Sequence, residues 1–160
     1  MRRPRLSSRL SAVLSLIPDG AQDIADVGAG HGSLSAALAA SGGRRVIAIE
    51  AQRGPLTELE RNLREWELAS PPVVRTGLDL EPIADGEVDT VIVAGLSART
   101  ALRVCGEAQR KGVRWMVLQC MQGKDQVEPW LSANGWRVVR RVDAMQRRRS
   151  YPIWLVEVPN

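Results

Sequence analysis

Phenylalanine is absent from this 160-residue chain, histidine and tyrosine occur once each, and there are two cysteines. The missing phenylalanine, together with arginine far outnumbering lysine, reads as compositional bias rather than as function. Cys105 and Cys120 stand in neither a metal-ligating nor a redox spacing, so the sequence carries no metal motif. Both thiols are expected to be reduced and packed in the core. No apolar run is long enough to span a bilayer. Arg2, Arg3 and Arg5, followed by apolar residues to Ile17, imitate the start of a signal peptide. However, Leu6, Leu10, Val13, Leu14 and Ile17 fall at helical spacing, with serines and Arg9 between them. That pattern predicts an amphipathic helix laid on a sheet, and the chain reads as cytoplasmic and unprocessed.

What is present is ordinary for one globular domain covering residues 1–160. Hydrophobic residues make up 44%, enough for a full core, and no repeat or low-complexity tract occurs. The formal net charge of +4 favours an anionic partner such as nucleic acid, although a basic surface is often merely solvated. Strand and helix signals alternate. Strands are predicted at Asp23–Val27, Arg45–Glu50, Val73–Thr76, Thr90–Ala94 and Trp115–Gln119. Helices are predicted at Ser33–Ala40, from Pro55 to about Trp66, at Ala98–Arg110 and at Asp125–Ala133. Trp136–Val142 and Ile153–Val158 then read as two strands with no helix between them. Such a pair, joined by a loop over Met145–Tyr151, favours an antiparallel hairpin. The fold class is therefore α/β, a doubly wound and mostly parallel sheet ending in an antiparallel hairpin.

The segment Asp26-Val27-Gly28-Ala29-Gly30-His31-Gly32 sits between the first strand and the first helix of this alternation. Strand, glycine turn and helix form the opening unit of a nucleotide-binding fold, where absent Cβ atoms let backbone approach a ligand. A dinucleotide fingerprint needs glycine at position 33, where Ser33 stands. A nicotinamide oxidoreductase is disfavoured on that ground. The acid-x-Gly-x-Gly-x-Gly spacing instead resembles the first motif of S-adenosylmethionine (SAM) dependent class I methyltransferases, and so does the terminal hairpin. SAM has no pyrophosphate to cradle, and Asp26 would face its cationic methionine end.

On that resemblance Gly28, Gly30 and Gly32 form the cofactor loop. Glu50, at the end of the second strand, would accept the ribose hydroxyls, because one carboxylate matches two neighbouring donors; the alternative is a solvent-exposed strand end. Asp79, in Gly77-Leu78-Asp79, would lie near the adenine amine, or else be a turn acid. Gly95 and Ser97 follow the fourth strand, where substrate meets the transferable methyl. The Asn/Asp-Pro-Pro-aromatic sequence of many amine-methylating relatives is absent there. His31 is a candidate base or substrate contact, or a packed loop residue. Methyl transfer to a neutral ring nitrogen needs no strong base, because alignment supplies much of the rate. The tracts Arg140-Arg141 and Arg147-Arg148-Arg149, with Arg2, Arg3, Arg5 and Arg9, could form a phosphate-binding face.

Taken end to end, the chain is similar to the bacterial tRNA (adenine-22-N1)-methyltransferase family. The matching segments are Leu6-Ser7-Ser8-Arg9-Leu10, Leu16-Ile17-Pro18, Ala25-Asp26-Val27-Gly28 with His31, Gly54-Pro55-Leu56 and Asn62-Leu63. They continue with Arg75 and Gly77, Leu80-Glu81-Pro82, Val91-Ile92-Val93-Ala94-Gly95, Leu118-Gln119 and Trp130-Leu131. The resemblance implies SAM as methyl donor and N1 of a tRNA adenine as acceptor. Departures cluster at the site. The family's Gly-Ser-Asp-His-Ala-Tyr becomes Gly28-Ala29-Gly30-His31-Gly32-Ser33. Its Gly-Asp-Gly-Leu becomes Gly77-Leu78-Asp79-Leu80, and its Ala-Gly-Met-Gly-Gly becomes Ala94-Gly95-Leu96-Ser97-Ala98. Its Leu-Gln-Pro-Asn becomes Leu118-Gln119-Cys120-Met121. The family's C-terminal helical extension, implicated in tRNA binding, has no counterpart up to Asn160. A non-catalytic methyltransferase-fold module, binding RNA or a partner subunit, is the alternative that these departures leave open.

Overall fold

The computed structural model describes residues 3–160. An N-terminal helix α1 (Ser8–Ser15) precedes β1 (Asp23–Val27), α2 (Ser33–Ala40), β2 (Arg45–Glu50), α3 (Arg53–Glu65) and β3 (Val73–Thr76). The chain then crosses the sheet to β4 (Thr90–Ser97), α4 (Ala98–Arg110) and β5 (Trp115–Gln122). A 3-10 turn, Lys124–Gln126, leads into α5 (Val127–Ala133), β6 (Arg137–Gln146) and β7 (Arg149–Glu157). The seven strands lie in the order β3-β2-β1-β4-β5-β7-β6. The first five are parallel, and β7 runs antiparallel to both β5 and β6. Strand order reverses between β1 and β4, and the carboxyl ends of those two strands form the crevice where such sheets bind ligands.

Two apolar layers enclose the sheet. Side chains alternate across a strand, so Ala25 and Val27 join Val91, Val93, Met116 and Leu118 under α4 and α5. Ile24, Val46, Ile92 and Val117 face the opposite layer, made by Leu10, Val13 and Leu14 of α1 and Leu34 and Leu38 of α2. The parity of the strands then assigns Asp26, Glu50 and Gln119 to this second face. Helix α1 starts at Ser7, whose hydroxyl accepts from the Leu10 N–H at 3.2 Å, and its apolar stripe covers the sheet as its spacing predicts. Among the described residues, no helix is long and apolar enough to cross a membrane.

Several boundaries differ from the sequence reading: β5 runs to Gln122 rather than Gln119, and α5 starts at Val127 after the 3-10 turn rather than at Asp125. Strand β4 continues beyond Ala94 to Ser97 through a bulge, with register shifts on both sides of Leu96 and Gly95 at φ +83°. Gly95 and Ser97 therefore belong to a bulged strand rather than a loop. The terminal strands extend to Gln146 and from Arg149, leaving Arg147 and Arg148 as a two-residue turn with φ +49° and +62°. An Arg-Arg turn escapes sequence rules because hairpin turns with positive φ normally carry Asn or Gly. Helix α3 begins at Arg53, and Pro55 is accommodated in its first turn.

Candidate active site

The glycine loop is built differently at each glycine. All three have positive φ: +67° at Gly28, +57° at Gly30 and +85° at Gly32. A Cβ on Gly32 would stand 2.2 Å from Leu59 Cδ1 of α3, and one on Gly28 would stand 2.9 Å from Leu96 Cδ1. These two glycines admit neighbouring side chains. A Cβ on Gly30 would meet nothing closer than 4.0 Å, so Gly30 is the member that faces open space. The loop is tied to β2, because the Ala29 N–H donates to the Ile49 carbonyl at 2.9 Å.

Glu50, 8% exposed, closes the same corner. Its Oε1 accepts from the Gly30 N–H at 3.1 Å and its Oε2 from the Gln52 N–H at 2.9 Å. A carboxylate accepts about four hydrogen bonds, so both oxygens retain acceptor capacity. Asp26 is 3% exposed and receives the Ser35 hydroxyl of α2 at 2.6 Å. Burial pushes its carboxyl up to about 6 against the Ser35 hydrogen bond, and the nearby Glu50 charge adds to the rise. Asp26 thus lies beneath the loop rather than on its surface.

Asp79 is 6% exposed in a left-handed conformation, φ +53°. It is gripped by Arg103 of α4, with Nε donating at 2.5 Å and Nη2 at 3.2 Å. The same loop is pinned again where the Leu80 N–H donates to Glu107 at 3.1 Å. A fork to arginine occupies much of the acceptor capacity expected to be free for an adenine amine, and exposed Leu78 stands at the preceding position.

The two candidate catalytic side chains are not brought together. His31 is 69% exposed, and its Nδ1 lies 2.8 Å from Glu58 of α3, on the β2 side of the crevice. Ser97 caps α4, accepting from the Thr100 N–H at 3.2 Å and bonding Thr100 Oγ1 at 3.2 Å. Its hydroxyl is committed to the helix. Gly95 is held by its N–H, which donates to Gln119 Oε1 at 2.9 Å.

The arginines do not form one face. Arg2 lies outside the described residues. Arg9 turns inward and donates from Nη1 to Gln119 Oε1. Arg141 pairs with Glu128 and Asp143. Pairing of Ile153 with Gln119 brings the start of β7 to the carboxyl end of β5. The tip Arg147-Arg148-Arg149 therefore projects at the crevice end of the sheet, near Lys124, which donates to the Ser150 carbonyl at 3.0 Å. Sequence reasoning missed the inward Arg9 and its partner Gln119. Both stand in segments quoted for the family resemblance, yet 110 residues separate them, and local periodicity has no access to such a pair. A cavity of about 1090 Å³ at the other end of β2 and β3, between Ala40, Arg44, Trp66 and Val73, is lined by Arg3 but by none of the glycine-loop, Glu50, Asp79 or β4 candidates.

This fold and crevice define a class I SAM-dependent methyltransferase. Residues 6–154 match the family model described as methyltransferase domain, and the chain belongs to that family. Within it, the chain is 28% identical over 160 residues to the Bacillus subtilis tRNA (adenine(22)-N(1))-methyltransferase, covering 98% of this chain and 67% of that one. The crystal structure of the Bacillus subtilis tRNA methyltransferase TrmK superposes with a TM-score of 0.86 at 26% identity, over 99% of this chain and 68% of that one. Streptococcus pneumoniae Sp1610, solved in complex with S-adenosyl-L-methionine, superposes with a TM-score of 0.87 at 27% identity, over 96% and 73%. These relationships place the chain among methyl-transferring enzymes rather than non-catalytic modules of the same fold.

Proposed function

We propose that this methyltransferase modifies N1 of an adenine in tRNA and that the crevice between β1 and β4 holds the donor. The observation that carries the reading is the corner made by Gly30 and Glu50. There a glycine with positive φ and no Cβ neighbour stands beside a buried carboxylate with unused acceptor capacity. Glu50 would accept the ribose hydroxyls of the donor, and Gly30 would leave room for its methionine arm beside the glycine loop. Asp26 would support that arm electrostatically from beneath the loop, and the bulge at Gly95 would line the same crevice. Asp79 shapes the adenine end through its arginine fork. The bound donor supplies a methyl group made electrophilic by a sulfonium.

The protein's part is alignment. Adenine N1 carries an in-plane lone pair and needs no deprotonation, so positioning it against the methyl is the main requirement. Neither Ser97, which caps a helix, nor exposed His31 is needed as a base. The arginine tip and Lys124 meet tRNA phosphates at the crevice end, which positions the RNA without reading sequence. The tRNA substrate rests on the similarity to tRNA (adenine(22)-N(1))-methyltransferases along nearly the whole chain.

The test is transfer of labelled methyl from SAM to a tRNA transcript that carries adenine at position 22, beside a transcript carrying guanine there. Label in N1-methyladenine from the first transcript and none from the second supports the reading. Label in both, or in a different nucleoside, overturns the substrate assignment.

A further inference from the structure

The two ends of the sheet treat their cations differently. At the amino ends of the strands, Arg45 meets Asp23 and Glu87, Lys111 lies 3.8 Å from Asp85, and Arg137 holds Glu157. At the carboxyl ends, Arg53, Arg99, Arg147, Arg148 and Arg149 are all exposed. Among the described residues, none of these five pairs with an acid.

Helices α3 and α4 supply an internal comparison, because each carries an unpaired arginine at both ends. Arg64 and Arg110 stand in the last turns, where the helix dipole favours a cation. Arg53 and Arg99 stand in the first turns, where the dipole opposes one, and neither first turn contains an acid. Helix stability accounts for the last-turn pair and leaves the first-turn pair unexplained. The hairpin tip repeats the pattern. Arg147 and Arg148 take φ +49° and +62°, in a turn that Asn and Gly make more easily. Cations are kept at all these positions against a local cost, which an external anion would offset.

These positions fall in one row. Strand order places Arg53 after β2, Arg99 after β4, Lys124 after β5 and Arg149 at the start of β7. Four strand spacings separate β2 from β7, about 19 Å in all. A stacked nucleic-acid strand covers that distance with about five or six phosphates. The row passes over the carboxyl ends of β1 and β4, where Gly30 faces open space. A line of separate exposed cations suits a linear polyanion.

We propose that the RNA backbone crosses the mouth of the crevice along the strand order, held by Arg53 and Arg99 on one flank and by Lys124 and Arg149 on the other. The inference rests on the RNA substrate proposed above. It adds the flank formed by α3 and α4, and the direction in which the strand runs. Phosphate contacts of this kind fix register and orientation, and so bring one nucleotide over the donor site.

The test is tRNA binding by the full chain, followed by fluorescence anisotropy across a salt series. Arg53→Gln and Arg99→Gln should each weaken binding roughly 3- to 10-fold near 0.1 M salt and lower the salt slope by about one. Arg64→Gln and Arg110→Gln, at the other ends of the same helices, should leave the slope as it is. Combining Arg53→Gln with Arg149→Gln should lower it by about two, because the two cations serve different phosphates. The first-turn variants should also raise the melting temperature, whereas loss of a merely structural arginine would lower it. The row is overturned if Arg53→Gln and Arg99→Gln keep the wild-type slope while the wild-type chain methylates tRNA. It is equally overturned if Arg64→Gln and Arg110→Gln lower the slope as much, since the effect is then one of net charge. Loss of binding to phosphatidylserine vesicles, with the tRNA slope unchanged, would reassign the surface to a membrane. If the wild-type chain binds no tRNA at low salt, the RNA substrate itself is wrong and the row falls with it.

Discussion

Replacing Asp26 by asparagine should change the pH dependence of stability in a direction fixed by burial. The carboxyl is 3% exposed and titrates near 6, against 3.8 for an ordinary aspartate. In the unfolded chain it loses its proton near the lower value. Between the two values the native state holds the extra proton, so native stability falls as pH rises through this window and levels off above it. A displacement of that size corresponds to about 3 kcal/mol. Asparagine keeps an oxygen for the Ser35 hydroxyl, now 2.6 Å from the carboxylate, and cannot ionise. Its amide N–H groups cost about 1–2 kcal/mol if they stay unpaired, but equally at every pH. The decisive quantity is therefore the difference between variant and wild type. From pH 4 to pH 7 it should move in favour of Asp26→Asn by about 2.4 kcal/mol, measured by urea unfolding at each pH. A difference that is flat with pH, or moves the other way, would refute the argument that this acid is held charged against its burial. The same variant should bind SAM more weakly, as a residue kept for a cationic ligand at a cost in stability would.

Further outcomes follow from the same geometry. Gly32→Ala combines a 2.2 Å clash with Leu59 and a φ of +85°, and should cost roughly 2–4 kcal/mol in thermal or urea unfolding. Gly30→Ala meets no neighbour, should cost only about 1 kcal/mol, and should lose SAM affinity by calorimetry out of proportion to that cost. Glu87 is held down to about 2 by hydrogen bonds from Arg75 and the Ala84 N–H. Its contribution is present above about 4.5 and lost as pH falls toward 2, so Glu87→Gln should destabilise by about 1–2 kcal/mol at pH 7 and converge with wild type in acid. Burial pushes Cys105 up to about 12 and Cys120 up to about 11, so neither thiol should react with a disulfide reagent at pH 8 until the protein is unfolded.

The parallel part of the fold was legible because its signals are local. Asp23–Val27, Arg45–Glu50 and Ala98–Arg110 coincide with their predicted bounds, set by apolar runs and flanking glycines. Errors arise where long-range pairing overrides local preference. Pairing with β5 carries β4 through a bulge at Gly95 that a strand pattern would end at Ala94. The β6–β7 ladder forces positive φ on Arg147 and Arg148, residues with no turn preference. At the site, Glu50 and the glycines could be located from spacing along the chain. The fork between Arg103 and Asp79 could not, and neither could the bond between Arg9 and Gln119, because these partners are 24 and 110 residues apart. Arg9 illustrates the physical reason. In sequence it belongs to a basic N-terminus and reads as part of an exposed phosphate-binding face, whereas the docking of α1 on the sheet turns its guanidinium inward against Gly95.

The central claim is that the crevice at Gly30 and Glu50 holds SAM, and calorimetric titration of wild type and Glu50→Ala with SAM tests it most directly. Wild type should bind in the micromolar range. The variant, shown to be folded by circular dichroism, should bind roughly 10- to 100-fold more weakly through loss of the ribose hydrogen bonds to a charged acceptor. Equal affinity in the two proteins, or no binding by folded wild type, would contradict the account.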